Sequence, residues 1–334
     1  MYFTITNYRI FSKIFARISP IMEALEQFNG YQSDFLGPKN KVGLPKLSPD
    51  QLADVAPVEG SRGDILHYQN FSLVQHAGRR FPIFTAANID GKLFRKLPRH
   101  DAWQLDPRIS KDHHWGASLY EASKSDFDRG HMTKREDAQW GHSDEEAKNG
   151  AISTFYFTNA VPQVARLNQQ LWRGLEDYIL KSETVSHGLK INLFTGPVLS
   201  DSDPVFVTEV DGHKVRIPTL FWKVIYFTKL DGRLYRVGFL MGQEELLEKD
   251  GIVHPRETGR GLLVSEEEKL FMDFKGADIF QVNISTIEKL TKLGFPKAVE
   301  PFKDDRPIAL IRKEVQGRGL FGEGPSFVIE GMAI

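Results

Sequence analysis

Two long apolar runs, Thr219-Leu-Phe-Trp-Lys-Val-Ile-Tyr-Phe227 and Leu234-Tyr-Arg-Val-Gly-Phe-Leu-Met241, stand on either side of Asp231-Gly232. Both are rich in β-branched and aromatic side chains, which suit a pleated surface. Asp-Gly between such runs favours a tight hairpin, because the turn needs a positive φ that glycine adopts freely. The pair therefore predicts an antiparallel hairpin. Phe71–Gln75 and Pro82–Ala87, with Ala77-Gly78-Arg79 as the turn between them, predict a second hairpin. Ser153–Thr158 and Ile191–Thr195 read as further strands. Leu167–Lys181 reads as a helix with Leu167, Leu171, Leu175 and Tyr178 on one stripe, and Ser285–Leu293 as a short one. Residues 95–125 are loop-like. The expected fold class is α+β, a mainly antiparallel central sheet flanked by helices. A Pro-rich arm and extended lead-in over residues 1–60, a domain over 61–310 and a Gly-rich tail over 311–334 complete the expected organisation.

The chain has 334 residues, enough for a substantial core. Lys and Arg total 43 against 44 for Asp and Glu, so it lacks the strong basic excess of a tight, passive nucleic-acid binder. That balance does not argue against an enzyme that must release a polyanionic product. There is no cysteine, which excludes disulfides, thiolate zinc sites and cysteine nucleophiles. No apolar run reaches the roughly 18 residues of a membrane span, so stable membrane insertion is not expected. Met1–Met22 contains no acid, and Arg9, Lys13 and Arg17 recur among Ile10, Phe11, Ile14, Phe15 and Ile18. Such a basic amphipathic helix serves either targeting or packing on the domain, and the compartment stays open.

Asp128-Arg129-Gly130-His131 carries the most chemistry. Phosphodiester hydrolysis needs a base for the attacking water and positive charge for the transition state. Imidazole can accept a proton near neutral pH, and the Arg129 fork matches phosphate oxygens. Gly130 would let the backbone approach a ligand closely. A second element follows: Thr158-Asn159-Ala-Val-Pro162-Gln163, then Leu167-Asn168-Gln-Gln-Leu-Trp172-Arg-Gly-Leu175-Glu176. Asn168 falls at the first turn of the expected helix, where a helix cap is the plain alternative to a functional role. For Glu176 the plain alternative is a solvated helix face.

Together the two elements resemble the DNA/RNA non-specific endonuclease family, whose signature is the Asp-Arg-Gly-His tetrapeptide followed by the Asn-x-x-x-Trp-x-x-Leu-Glu segment. Phe84–Gly91, Tyr31–Gly37 and Phe280–Thr291 extend the likeness, which covers roughly residues 30–300. The resemblance implies a ββα-metal (His-Me finger) fold. It implies His131 as general base and Asn168 as the direct protein ligand of one Mg2+, with Mn2+ as a substitute. It gives Glu176 a hold on the ion's water, Arg129 a phosphate contact and Asn159 an organising role nearby. DNA and RNA are the implied substrates, 5′-phosphate ends the implied products, and a homodimer a frequent arrangement. Rival readings are a member of the same fold that binds without cutting, and a nuclease toxin.

One departure stands out. Some members carry another phosphate-binding Arg two residues before Trp-x-x-Asp-Pro; the segment is here as Trp103–Pro107, but Asp101 takes the Arg position. Arg99 and Arg108 flank it as substitutes, and Lys134 and Arg135 are further candidates for phosphate contact. A basic residue is also expected near the helix end, where Leu180-Lys181 stand. Asp112-His113-His114 invites a zinc reading, but adjacent histidines diverge, and a substrate-facing or solvated loop is the stronger expectation. His142 is the nearest second histidine that a metal-free, RNA-only mechanism would require. Gly317-Arg-Gly319-Leu-Phe-Gly322 spells a dinucleotide motif without the βαβ unit it needs, so a mobile tail or tight turn is expected.

Overall fold

In the computed structural model the Asp231-Gly232 turn forms as expected, with Gly232 at φ 73° and the Gly232 amide donating to the Lys229 carbonyl. The structure describes residues 28, 30–61, 63–165, 173–254, 274, 278–304, 306–318, 325–330 and 332–333. In chain order the strands and helices are α1 (Pro49–Ala53), β1 (Leu66–Tyr68), β2 (Phe71–Gln75), β3 (Pro82–Asp90), α2 (Ala117–Tyr120), β4 (Phe127–His131), α3 (Asp144–Ser153), β5 (Ala160–Val164), α4 (Arg173–Asp177), β6 (Lys190–Val198), β7 (Leu220–Thr228), β8 (Leu234–Gly242), α5 (Glu244–Lys249), β9 (Ile279–Val282), α6 (Ile284–Thr291), β10 (Ile308–Ala309), β11 (Ile311–Arg318) and β12 (Pro325–Glu330). A π-type turn of helix, Tyr178–Val185, continues α4.

Eight strands form one sheet in the order β1-β2-β3-β6-β7-β8-β9-β10, every neighbouring pair antiparallel. Side chains alternate across a strand, so β7 serves two cores. Leu220, Trp222, Val224 and Tyr226 face one side, under Ile284, Ile287 and Leu290 of α6 and Tyr31 and Val42 of the lead-in. Phe221 and Ile225 face the other, under Val161 and Val164 of β5 and Leu175 and Ile179 behind it. The expected arm is outside the described residues up to residue 27, whereas from residue 30 the chain is built into the fold. There the Tyr31 hydroxyl donates to the Val42 carbonyl and accepts from the Asn192 amide.

β4 and β5 pair only with each other, in a two-stranded ribbon lying over the sheet. Gln243, fully buried at the end of β8, fastens it: its Oε1 accepts from the Val164 amide and its Nε2 donates to the carbonyls of Pro162 and Pro218. Ribbon and α4 make a β-β-α unit on the sheet face opposite α6.

One expectation is corrected. Ser153–Thr158 is not a strand: α3 runs to Ser153, and Phe157–Asn159 is a 3-10 turn before β5. The Ser153 and Thr154 hydroxyls donate back to the Gly150 and Ala151 carbonyls, and Phe155, Tyr156 and Phe157 are all buried, so the alternating spelling has no exposed face behind it. In the tail β11 and β12 pair antiparallel on either side of residues 319–324, which lie outside the described residues, and Gln281 of β9 exchanges two hydrogen bonds with the backbone of Ala333. Among the described residues no helix is long and apolar enough to cross a membrane.

Candidate active site

His131 ends β4 at the edge of a cavity of about 1050 Å3 that is also lined by Arg129, Glu176, Trp103, Tyr120 and Lys134. The tetrapeptide places these groups through strand alternation, and the ribbon register puts Arg129 opposite Pro162 and His131 opposite Ala160. Gly130 has a steric role inside the ribbon. A Cβ there would lie 2.3 Å from Gln163 Oε1, so glycine makes room for the neighbouring strand's side chain.

The imidazole lies 4.6 Å from the Trp103 ring and 4.9 Å, edge-on, from Phe155, centroid to centroid. Its Nε2 is buried with no hydrogen-bond partner. Burial, reinforced by the Arg99 guanidinium, pushes its pKa down to about 3, so it is neutral at pH 7. Asn159 fixes the chain just past it. Asn159 is fully buried, its Oδ1 accepting from the Thr133 amide and its Nδ2 donating to the Thr133 and Thr154 carbonyls. The Asn159 carbonyl also accepts from the Met132 amide.

Arg129 keeps a partly exposed guanidinium 3.2 Å from Glu121 Oε1 and 5.8 Å from the Tyr120 and Phe157 ring centroids. Glu176 is not on a solvated helix face: it is buried and sits 3.0 Å from Lys223 Nζ. Lys223 is fully buried in the middle of β7 and also donates to Thr195 Oγ1. Beside them Asp137 is buried, and desolvation pushes its carboxyl up to about 7 against the pull of Lys223. Lys134 lies 3.0 Å from Glu136 and 2.5 Å from Asp177; burial works against its charge, but these carboxylates outweigh it and hold it protonated.

The other phosphate candidates divide. Arg99 and Arg135 line the cavity, Arg99 paired with Asp101 and Arg135 donating to the Leu97 and Pro98 carbonyls. Arg108 does not: it is buried, spends its donors on Asp106 and the His67 carbonyl, and stacks on Tyr68. His142 is exposed and does not line the cavity. Asn168, like Leu167 and Trp172, lies outside the described residues. Sequence reasoning missed Lys223 and Asp137. The lysine's signal was legible, since it interrupts an otherwise apolar strand; Asp137 gave none.

Residues 49–302 match the model of the DNA/RNA non-specific endonuclease family. An uncharacterized protein, y4fB of Sinorhizobium fredii, is 37% identical over 228 residues, covering 65% of this chain and 33% of the relative. Human mitochondrial endonuclease G is 32% identical over 116 residues, 33% of this chain and 36% of that one. A nuclease of the cyanobacterium Nostoc is 26% identical over 184 residues, 55% of each chain. The alignments thus span between a third and just over half the length of these curated relatives. With the family model covering most of its length, and the tetrapeptide, the ribbon and the following helix gathered at one cavity, the chain belongs to the DNA/RNA non-specific endonuclease family.

Proposed function

We propose that the protein hydrolyses phosphodiester bonds of DNA and RNA with little sequence preference, using Mg2+ and leaving 5′-phosphate ends. One observation carries the reading: His131, Arg129 and Glu176 line a single cavity, with His131 Nε2 buried and unpartnered. Five cationic side chains line it (Lys96, Arg99, Arg129, Lys134, Arg135) against three carboxylates (Asp128, Glu136, Glu176), a balance that suits a polyanion.

The donor set fits a hard cation that keeps most of its waters. Glu176 brings a buried carboxylate to the cavity wall, its Oε1 3.0 Å from Lys223 Nζ, and among the described residues no three His, Asp or Glu side chains converge as a full protein cage. Asn168 would hold the ion directly and Glu176 would hold its water. When bound, Mg2+ supplies positive charge for the pentacovalent phosphate and the departing 3′-oxygen.

This chain's own residues do the rest. His131, neutral at pH 7, accepts the proton of the attacking water. Trp103 and Phe155 fix the plane of its ring, and Asn159 holds the backbone that carries it. Arg129 offers its fork to the non-bridging oxygens. Because water is the nucleophile, the ribose 2′-hydroxyl is not needed, so both polymers are substrates.

Plasmid DNA and a single-stranded RNA should both be cut in Mg2+ and spared in chelator. Asn168→Ala should lose most activity at saturating Mg2+. Undiminished cleavage in chelator would overturn the metal assignment, and an Asn168→Ala rate equal to the parent's would reduce Asn168 to a helix cap.

A further inference from the structure

Trp103 has a second side. Beyond it lies another cavity, of about 480 Å3, which shares Trp103 with the first and is also lined by Phe157, Trp115, Arg80, His114 and His213. Its size is within the roughly 300–1,000 Å3 of small-molecule sites. We propose that this cavity is a subsite for one unpaired nucleobase of the substrate strand, next to the phosphate held at Arg129 and His131. The inference rests on the nuclease reading above and adds to it where the neighbouring base goes.

Flat groups dominate the lining. The Arg80 guanidinium lies 4.5 Å from the centre of the Trp115 ring, and Arg80 Nη2 stands 3.3 Å from His213 Nε2. Trp115 is itself anchored, its Nε1 donating to the Arg79 carbonyl, so the stack has a rigid floor. Arg guanidinium planes and aromatic rings are the surfaces on which unpaired bases stack. The charges argue for a base and not for the sugar-phosphate chain. Arg80 and Lys111 are matched by Asp112 and Asp211, the latter accepting a hydrogen bond from Ser118.

His114 supplies an independent sign of a ligand. It is nine-tenths buried, its Nδ1 lies 3.2 Å from the Ser110 carbonyl, and its Nε2 has no partner. With Nδ1 donating to that carbonyl, Nε2 is left as a buried, unpartnered acceptor on a residue of the cavity lining. Every nucleobase offers a π-face and at least one N–H, so such a subsite tolerates any sequence, as a non-specific enzyme requires. It also absorbs part of the Asp112-His113-His114 motif. His114 and Asp112 line this cavity, while the His113 Nδ1 turns toward the Ala77 carbonyl.

The test uses single-stranded tetranucleotides in which one position at a time is abasic, titrated by fluorescence anisotropy against the full-length His131→Ala protein. The subsite predicts one position at which the missing base weakens binding about tenfold. Arg80→Ala should weaken the intact strand by a similar factor and leave the abasic strand unchanged. Should Arg80→Ala fail to fold, His213→Ala at the exposed rim takes its place in the same cycle. Equal affinities at every position, no binding at all, or a variant that weakens intact and abasic strands alike would overturn the subsite. Cleavage by the unmodified protein is read separately. Cutting without a base effect loses the subsite and keeps the nuclease; a base effect without cutting does the reverse.

Discussion

The two faces of β7 differ by one buried charge and in purpose. On one face Leu220, Trp222, Val224 and Tyr226 are all buried in a dry core, with Trp222 packed edge-on to Phe295 at 5.2 Å. On the other, Phe221 and Ile225 flank Lys223, equally buried but facing Glu176 and Thr195. Burying a lysine costs free energy that only its partners offset, so the second face spends stability to hold a carboxylate at the cavity wall. The sheet is a scaffold on one side and the floor of the site on the other.

The largest contrast should come from two variants that each touch only one role. His131→Ala should lower cleavage by roughly 10²–10⁴-fold while leaving the thermal midpoint nearly unchanged. A normal rate would remove His131 from the mechanism. Trp222→Ala on the dry face should cost about 3–5 kcal/mol of unfolding free energy, a large part of the ~5–15 kcal/mol typical of a domain, with activity per folded molecule preserved. A urea midpoint matching the parent's would show that this face is not the scaffold.

Lys223→Met tests whether the two roles can be separated. Leaving Glu176 and Asp137 without their cation should cost about 3 kcal/mol and lower kcat more than it changes KM. Adding Glu176→Gln should restore part of the stability and none of the activity. If the double variant cut as well as the parent, Lys223 and Glu176 would be structural alone.

The smallest effects are in pH dependence. With the His131 pKa held far below 6.5, the acid limb of kcat/KM that it sets should lie well below 6.5, and Arg99→Gln should move that limb upward by removing a cation from beside the ring. Stability follows with a definite sign. Between about 3 and 6.5 the unfolded chain takes up the His131 proton first, so this contribution is full above 6.5 and is lost as pH falls. Asp137 acts oppositely: its native pKa near 7 against 3.8 unfolded means its contribution is full at low pH and lost as pH rises through 7. Asp137→Asn should remove that alkaline loss in urea titrations; an unchanged slope between pH 4 and 7 would count against the raised carboxyl.

Much of the fold was legible because turn chemistry and apolar patterning are local. Asp231-Gly232, the two runs beside it, and the Phe71 and Pro82 strands could be read directly. Ser153–Thr158 misled because burial on every side imitates a strand's composition. Of the site, the tetrapeptide and Glu176 were visible as motif. Asn159 was visible too as an organising residue; the partner of Glu176, the rings around His131 and the backbone groups that Asn159 clamps were not, since each depends on contacts between distant segments. Arg108 shows the converse: a cation adjacent in sequence to the Trp103 segment is turned into the core by Asp106.

The sequence by itself determined the antiparallel hairpins, the absence of cysteine chemistry and the residue types for a hydrolytic site, because these follow from local backbone preferences and side-chain chemistry. Only the tertiary structure decided that Lys223 sits beneath Glu176, that Gly130 yields to Gln163, and that Trp103 divides two cavities. Those facts arise from strand register and from packing a separate ribbon over the sheet, and neither is encoded within any one segment.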